Sequence, residues 1–276
     1  MFMIWNPFKK RFKMLWKIEK DKTTSYLAGC AHFFPVSYRL SLKEIIKELD
    51  AVVFEGPLDE GNMDAIRGYS IVPEGSKNIK EMIDKDIVRA MENEIKAFYY
   101  KNTVQDYINI LKPERSSMLQ REIEGLSPWM AFFRIWCIFL KNRGWHYSVD
   151  IEAHSIAKRL KKDIYYLETI EEQISALEAI PIEKIVHFIS LFYKWEDFAK
   201  NHARYYKTGQ IEKLLNSTLD FPTRYPSIIE ERDPILYSRM RPFIEKGKTI
   251  VFVGITHIKS LSLFFQRDGF VVSKLS

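Results

Sequence analysis

Two histidines in this chain stand at the same offset from a glycine that closes a short apolar run. They are His32, in "SYLAGCAHFFP" (25–35), and His257, in "VFVGITHIKS" (251–260), each the last residue of a Gly-x-x-His. A third apolar run, "AVVFEG" from Ala51, ends on a carboxylate, Glu55. Two neutral imidazoles and a carboxylate are suitable ligands for a divalent metal with an open position for water, and manganese, cobalt or zinc could fill the role. Without a metal, the same side chains form a base and an electrophile. A single Gly-x-x-His arises often by chance, and a histidine after a buried strand is commonly hydrogen-bonded structure. The repetition, in a chain with only six histidines, makes His32, Glu55 and His257 a candidate site. Each glycine is expected to take a conformation that a residue with a Cβ resists, aiming the imidazole back over the sheet.

For these ends to meet, the runs must be strands of one sheet whose carboxyl ends open on a common crevice. "MLWKIEK" (14–20) alternates with period two and is followed by "DKTT", which reads as a strand, a tight turn and a second strand through Ser25 to Ala28. "SLKE" (41–44) has capping-box spacing before the helical "IIKEL", and the strand from Ala51 follows. Strand, helix, strand gives a parallel βαβ unit. From about Asn78 to Leu219 apolar residues recur at three and four positions, with Pro113, Ser127 and Pro128, Gly144, Pro181, and Thr208 and Gly209 as breaks. One strand interrupts that stretch, Asp163 to Thr169, carrying Glu168 near its end. A helix around Tyr237 to Lys246, the strand Thr249 to Val253, a helix capped by Ser260 and stopped by Gly269, and a strand "FVVSKL" close the chain. The expected fold is α/β: a mixed, partly parallel central sheet built from both chain ends, covered by a helical insertion at about 78–219, in one domain spanning 1–276.

Hydrophobic residues make up 46% of the chain and aromatics 14%, enough for a sizeable core. The net charge of +6 comes from 42 basic residues set among 36 acidic ones, without long like-charge blocks. Nucleic acid is therefore not the expected partner. The basic "NPFKKRFK" near the start reads as a solvated terminus. Two cysteines, with no Cys-x-x-Cys, fit a reduced compartment and a cytoplasmic location. Basic residues from Lys9 to Lys20 interrupt any signal-peptide core. "PWMAFFRIWCIFL" (128–140), cut by Arg134, falls short of the roughly 20 residues that cross a bilayer and reads as a buried helix.

At these motifs the sequence resembles the TraB/GumN family, which includes pheromone-shutdown proteins and is related to the Tiki proteins and to the erythromycin-esterase/ChaN-like group. The resemblance runs through "LWKIEKDKTTSYLAGCAHFFP", "AVVFEG", "SVDIEAHSIAKRLKKDIYYLETIEEQISAL" and "ERDPILYSRMRPFIEKGKTIVFVGITHIKSLSLFFQRDGFVV", leaving much of the helical stretch unmatched. It implies a site of His32, Glu55 and His257, with Arg232 brought close by the "ERD" segment. The family more often has asparagine where Asp233 stands, and a small or hydroxylated residue where Cys30 stands. Relatives described as metalloproteases and esterases imply a metal-dependent hydrolase acting on a peptide, amide or ester bond. In that reading a divalent metal is held by His32, Glu55 and His257, Glu55 acts as ligand or base, and Arg232 steadies an anionic intermediate. The ChaN likeness implies an alternative, a non-catalytic protein that sequesters a small peptide or haem-like ligand.

Other residues carry less. Cys30 beside a histidine suggests a thiol hydrolase, but a buried structural thiol is the simpler reading. Asp150, Glu168 and Gln173 match the resemblance and read as helix capping and strand-end hydrogen bonding. His146, His154, His187 and His202 have no ligand spacing and read as surface residues.

Overall fold

Strands β1 (Leu15–Lys20) and β2 (Thr23–Cys30) form the hairpin expected from the alternating run and "DKTT". Lys20 faces Thr23, so the loop is Asp21 and Lys22, and Asp21 takes the left-handed φ of 54° that a two-residue hairpin loop favours. The structure is a computed structural model that describes residues 11–58, 79–102 and 117–275. The basic run at the N-terminus lies partly outside the described residues, and Pro113 and Asn78 lie outside them.

Strands β3 (Ala51–Phe54), β4 (Asp163–Tyr166), β5 (Thr249–Gly254) and β6 (Val271–Lys274) complete a mixed sheet of order β4-β3-β5-β2-β1-β6. β2 runs parallel to β5, β5 to β3 and β3 to β4, while β1 is antiparallel to β2 and β6. Four neighbouring strands therefore share one C-terminal edge. Their register sets Cys30 beside Gly254 and Phe252 beside Phe54. β3 and β5 are apolar without alternation because both faces are covered.

On one face Phe252 stacks on Phe54, which meets His154 of α5 (Val149–Arg159). That helix also carries α1 (Arg39–Ile46). On the other face Ser25 donates to the Ile244 carbonyl of α10 (Asp233–Lys246), and Gly29 abuts Ile258 of α11 (Ile258–Arg267). The helical stretch is α2 (Lys85–Asn102), α3 (Met118–Ile123), α4 (Pro128–Asn142), α5, α6 (Ile170–Glu178), α7 (Ile182–Ser190), α8 (Trp195–Thr208) and α9 (Ile211–Asn216). Helix α4 is the expected buried helix. It starts at Ser127 and Pro128, and its Phe132 and Trp136 pack on Phe188, Trp195 and Phe221. No helix among the described residues is long and apolar enough to cross a membrane.

Local punctuation differs from expectation in four places. Helix α1 begins at Arg39, so Ser41 is not its cap, and its hydroxyl accepts the Phe12 N–H at 3.0 Å. Helix α11 grows out of a 3-10 turn, Ile255–His257, which leaves Ser260 inside the helix. Helix α10 starts at Asp233, four residues before Tyr237, with Pro234 in its first turn where the missing N–H costs nothing. Strand β4 stops at Tyr166, because Thr169 caps α6 in a capping box with Glu172.

Candidate functional site

Glu55 is the first residue past β3, and its N–H donates to the Phe252 carbonyl at 3.0 Å, which holds it against β5. Its Oε2 accepts the Gly254 N–H at 2.7 Å and its Oε1 accepts Arg232 Nη2 at 2.5 Å. Burial pushes this carboxyl up, but Arg232 above all, then His257, the Gly254 N–H and His32, outweigh it and bring the pKa down to about 2. Glu55 is a carboxylate at any ordinary pH.

His257 ends the 3-10 turn that leaves β5 and is 2% exposed. Its Nδ1 lies 2.5 Å from Asp233 Oδ1 and its Nε2 lies 3.8 Å from Glu55 Oε1. Because Asp233 as a carboxylate only accepts, Nδ1 carries the hydrogen and Nε2 is left as the working atom. Asp233 itself is 1% exposed, and its Oδ2 is buried with no hydrogen bond.

Arg232 precedes α10 and reaches two strand ends. Its Nε donates to Glu168 Oε1 at 2.9 Å, and its Nη2 serves both Glu168 Oε2 and Glu55. Burial lowers the affinity of this guanidinium for its proton, and the two carboxylates raise it further than burial lowers it. Glu168 lies beside Glu55 because its N–H donates to the Glu55 carbonyl at 2.9 Å.

His32 follows β2 by two residues, and its side chain is 67% exposed. Its Nδ1 meets Asp150 Oδ2 at 2.9 Å. Asp150 stands in the first turn of α5, docked here because Val149 N–H donates to the Ala31 carbonyl at 3.2 Å and Phe34 exchanges backbone bonds with Tyr147. Asp150 raises the His32 pKa to about 9. Water around the exposed ring screens part of that attraction. Burial raises the Asp150 carboxyl, and His32 with the Ser148 hydroxyl brings it below its usual range.

Four parallel strand ends thus deliver Glu168, Glu55, His257 and His32 in that order along one edge. Glu55, Arg232 and His257 form one cluster. His32 stands at the neighbouring strand end with no hydrogen bond or ion pair to those three among the described residues, although its charge acts on Glu55. Asp150 and Glu168, read from sequence as capping and strand-end bonding, are the partners of His32 and Arg232. The signal for Glu168 was the one that pointed to Glu55, a carboxylate closing an apolar strand. Nothing local marked Asp150, whose partner is 118 residues away.

The glycines work differently from expectation. Neither Gly29 nor Gly254 has a positive φ. A Cβ on Gly29 would come within 2.2 Å of Ile255 Cδ1, and one on Gly254 within 3.3 Å of His257 Cδ2. Close approach of the next turn, rather than an unusual dihedral, requires them. Gly56 likewise lies against the Gln173 amide, where a Cβ would stand 2.2 Å from Nε2.

Cys30 is buried, and burial, with Asp150 and Glu55 adding, lifts its thiol well above the usual range, which suits a structural role. His146 and His187 are exposed as expected, but His154 and His202 are not surface residues. His154 is 6% exposed and bonds Tyr166 Oη at 2.9 Å. His202 stacks on Tyr206, and burial pushes its pKa down to about 4.

Neither curated proteins nor solved structures give a match to the chain. A family model does, over residues 14–266, a span that includes every strand end described above and all but the last strand. On that match the chain belongs to the TraB/PrgY/gumN family.

Proposed function

We propose that the chain hydrolyses a peptide, amide or ester bond at the C-terminal edge of its sheet. The observation that carries this reading is that both imidazoles have Nδ1 held by a buried carboxylate, Asp233 for His257 and Asp150 for His32, leaving each Nε2 for chemistry. His257 acts as general base: Nε2 takes the proton of the attacking water and Asp233 stabilises the imidazolium. As water oxygen bonds the carbonyl carbon, His32, cationic beside Asp150, donates to the developing oxyanion. His257 then returns its proton to the leaving group. Arg232 balances Glu55 and Glu168 through Nε and Nη2, which leaves only Nη1, 3.4 Å from the Ile228 carbonyl, to steady an oxyanion beside His32.

Among the described residues His32, Glu55 and His257 do not stand together as one metal-binding group, so a divalent metal would be held by the three only on closer approach. A histidine ligand whose other nitrogen bonds a carboxylate is the usual arrangement at metal centres, and His32 and His257 both have it. Glu55 would join through Oε1, which it shares with Arg232. A bound ion would supply a water of lowered pKa and polarise the carbonyl.

The test is cleavage of a peptide library by purified protein with and without chelator, alongside elemental analysis. His32→Ala should abolish cleavage, with a loss of stability that is present below about pH 6.5, where the attraction of the ring to Asp150 is complete, and fades as pH rises to about 9. His257→Ala should also abolish it, and cost about 1–3 kcal/mol by leaving Asp233 buried without its donor. Cleavage by His32→Ala at the parent rate sinks the reading. Tight binding of a peptide or haem-like ligand without turnover would instead favour a sequestering protein.

A further inference from the structure

Beside the end of β3 stands one polar group that the site leaves unengaged, the Gln173 carboxamide. The segment that delivers it is fixed to the strand ends: the Leu167 and Glu168 N–H groups donate to the Phe54 and Glu55 carbonyls, both at 2.9 Å. Thr169 then caps α6, and Arg239 grips both oxygens of Glu172 while its Nη1 also donates to the Leu167 carbonyl. The start of α6 is thereby laid against the residue that follows Glu55. There the Gln173 amide packs on Gly56 so closely that a Cβ on that glycine would stand 2.2 Å from Nε2, 2.6 Å from Cδ and 2.7 Å from Oε1. The whole amide, not one corner of it, covers the glycine. Its neighbours are engaged, Glu55 and Glu168 by Arg232 and Glu172 by Arg239. The half-buried Gln173 side chain has no hydrogen bond among the described residues, and neither of its amide atoms is one of the fully buried polar atoms without a partner. A donor and an acceptor are thus held open at the strand-end edge, and no bond to the protein offsets the rotamer freedom lost in holding them there.

We propose that Gln173 binds a backbone amide of an extended peptide lying across the strand ends, steadying the chain while the bond to be cleaved faces His257 and His32. The inference rests on the hydrolase reading and narrows its substrate from a peptide, amide or ester bond to a peptide chain. A carboxamide presents an N–H donor and a C=O acceptor side by side, the complement of one peptide group, whereas an ester has no N–H to give. Gly56 is the second residue past β3, and β5 lies one strand away and β2 two. Strands stand about 4.8 Å apart and an extended chain rises about 3.3 Å per residue, so the bonded amide lies about one to three residues from the cleaved bond. A neutral group suits this place, because Glu55, Glu168 and Glu172 already set negative charge around it and a peptide group adds none. The competing role is structural: the side chain only fills the space above Gly56, which a methionine of similar length would fill as well.

A backbone scan of a bound peptide on the full chain separates the two roles. The probe is the tightest-binding octapeptide of a random library, resynthesised with one amide at a time replaced by an ester. Affinity is measured by calorimetry and cleavage by mass spectrometry. On the parent, an ester within about three residues of the cleaved bond should weaken binding roughly 3- to 10-fold, the scale of one neutral hydrogen bond. On Gln173→Met that same ester should cost nothing, while every other position behaves as in the parent. Gln173→Ala, which leaves Gly56 uncovered, should lose the same sensitivity and decides the matter if the methionine variant does not fold. The proposal is overturned by ester costs that are the same in parent and variant, or by variants that melt early and weaken every analogue alike. A parent that binds no octapeptide overturns it together with the hydrolase reading. Ester-sensitive binding that depends on Gln173 but brings no cleavage would sink the hydrolase reading alone, and cleavage with ester costs untouched by Gln173→Met would sink this one alone.

Discussion

Each imidazole of the edge is set by one carboxylate, and the two settings differ. His257 is buried against a buried aspartate, whereas His32 holds Asp150 from an exposed position. That difference makes the pH dependence of stability separable. Glu55, depressed to about 2, contributes stability that is present above its unfolded value near 4.5 and lost as pH falls through 2. His32, raised to about 9, contributes stability that is complete below its unfolded value near 6.5 and lost as pH rises through 9. The parent should therefore melt progressively lower between about pH 6.5 and 9, and His32→Gln should flatten that slope without changing the acid limb. Melting temperature against pH reads both limbs, and an unchanged alkaline limb in the variant would show that Asp150 does not hold a cation there. The histidines and Glu55 were legible in sequence because each closes a recognisable strand. The roles of Asp150 and Asp233 were not, because their partners lie on other elements and only folding shows which charges meet.

At the scale of elements, adjacency in the sheet did what sequence spacing could only suggest. The runs around 15–30, 51–54 and 249–254 were readable as strands from their patterning, yet the order β3-β5-β2 is a tertiary fact. It places the last parallel strand in the middle, so that His257 lies between Glu55 and His32. The caps were least legible, since "SLKE" has the right spacing, but the Ser41 hydroxyl is engaged by Phe12 from the strand side. The glycines of the paired motif now have separate tasks. Gly29→Ala forces a Cβ to 2.2 Å from Ile255 Cδ1 and 3.1 Å from Ile258 Cγ1, so these two buried side chains must repack, and a cost of about 1–3 kcal/mol is expected in denaturant melts. Gly254→Ala meets His257 and Glu55 at 3.3 and 3.5 Å, contacts that shift by tenths of an ångström. It should keep most stability and lose activity at least tenfold through a displaced imidazole. Equal effects of the two substitutions on both readouts would mean that the glycines share one structural duty.

Across the whole molecule the candidate site lies on the seam between sheet and helical cover, so its integrity depends on whether the two unfold together. Tyr206 of α8 crosses that seam: it is 1% exposed, its hydroxyl donates to the Gly29 carbonyl at 2.6 Å, and its ring packs on Phe34 and Tyr38. The backbone exchange between Phe34 and Tyr147 ties the same two layers a few residues from His32. With the bonds that bind them buried on both sides, opening the cover alone would expose the apolar faces of both layers. One cooperative transition is therefore expected. Tyr206→Phe removes the seam hydrogen bond while keeping the ring, which should cost about 1 kcal/mol and lower the melting temperature by roughly 2–4 °C. Tryptophan fluorescence, dominated by the cover through Trp129, Trp136, Trp145 and Trp195, should shift with the hydrogen exchange of Val251 to Val253 in the sheet. If the cover melts earlier in the variant while exchange in β5 keeps its parent free energy, the helical stretch is a separate folding unit, and one domain is the wrong description of this chain.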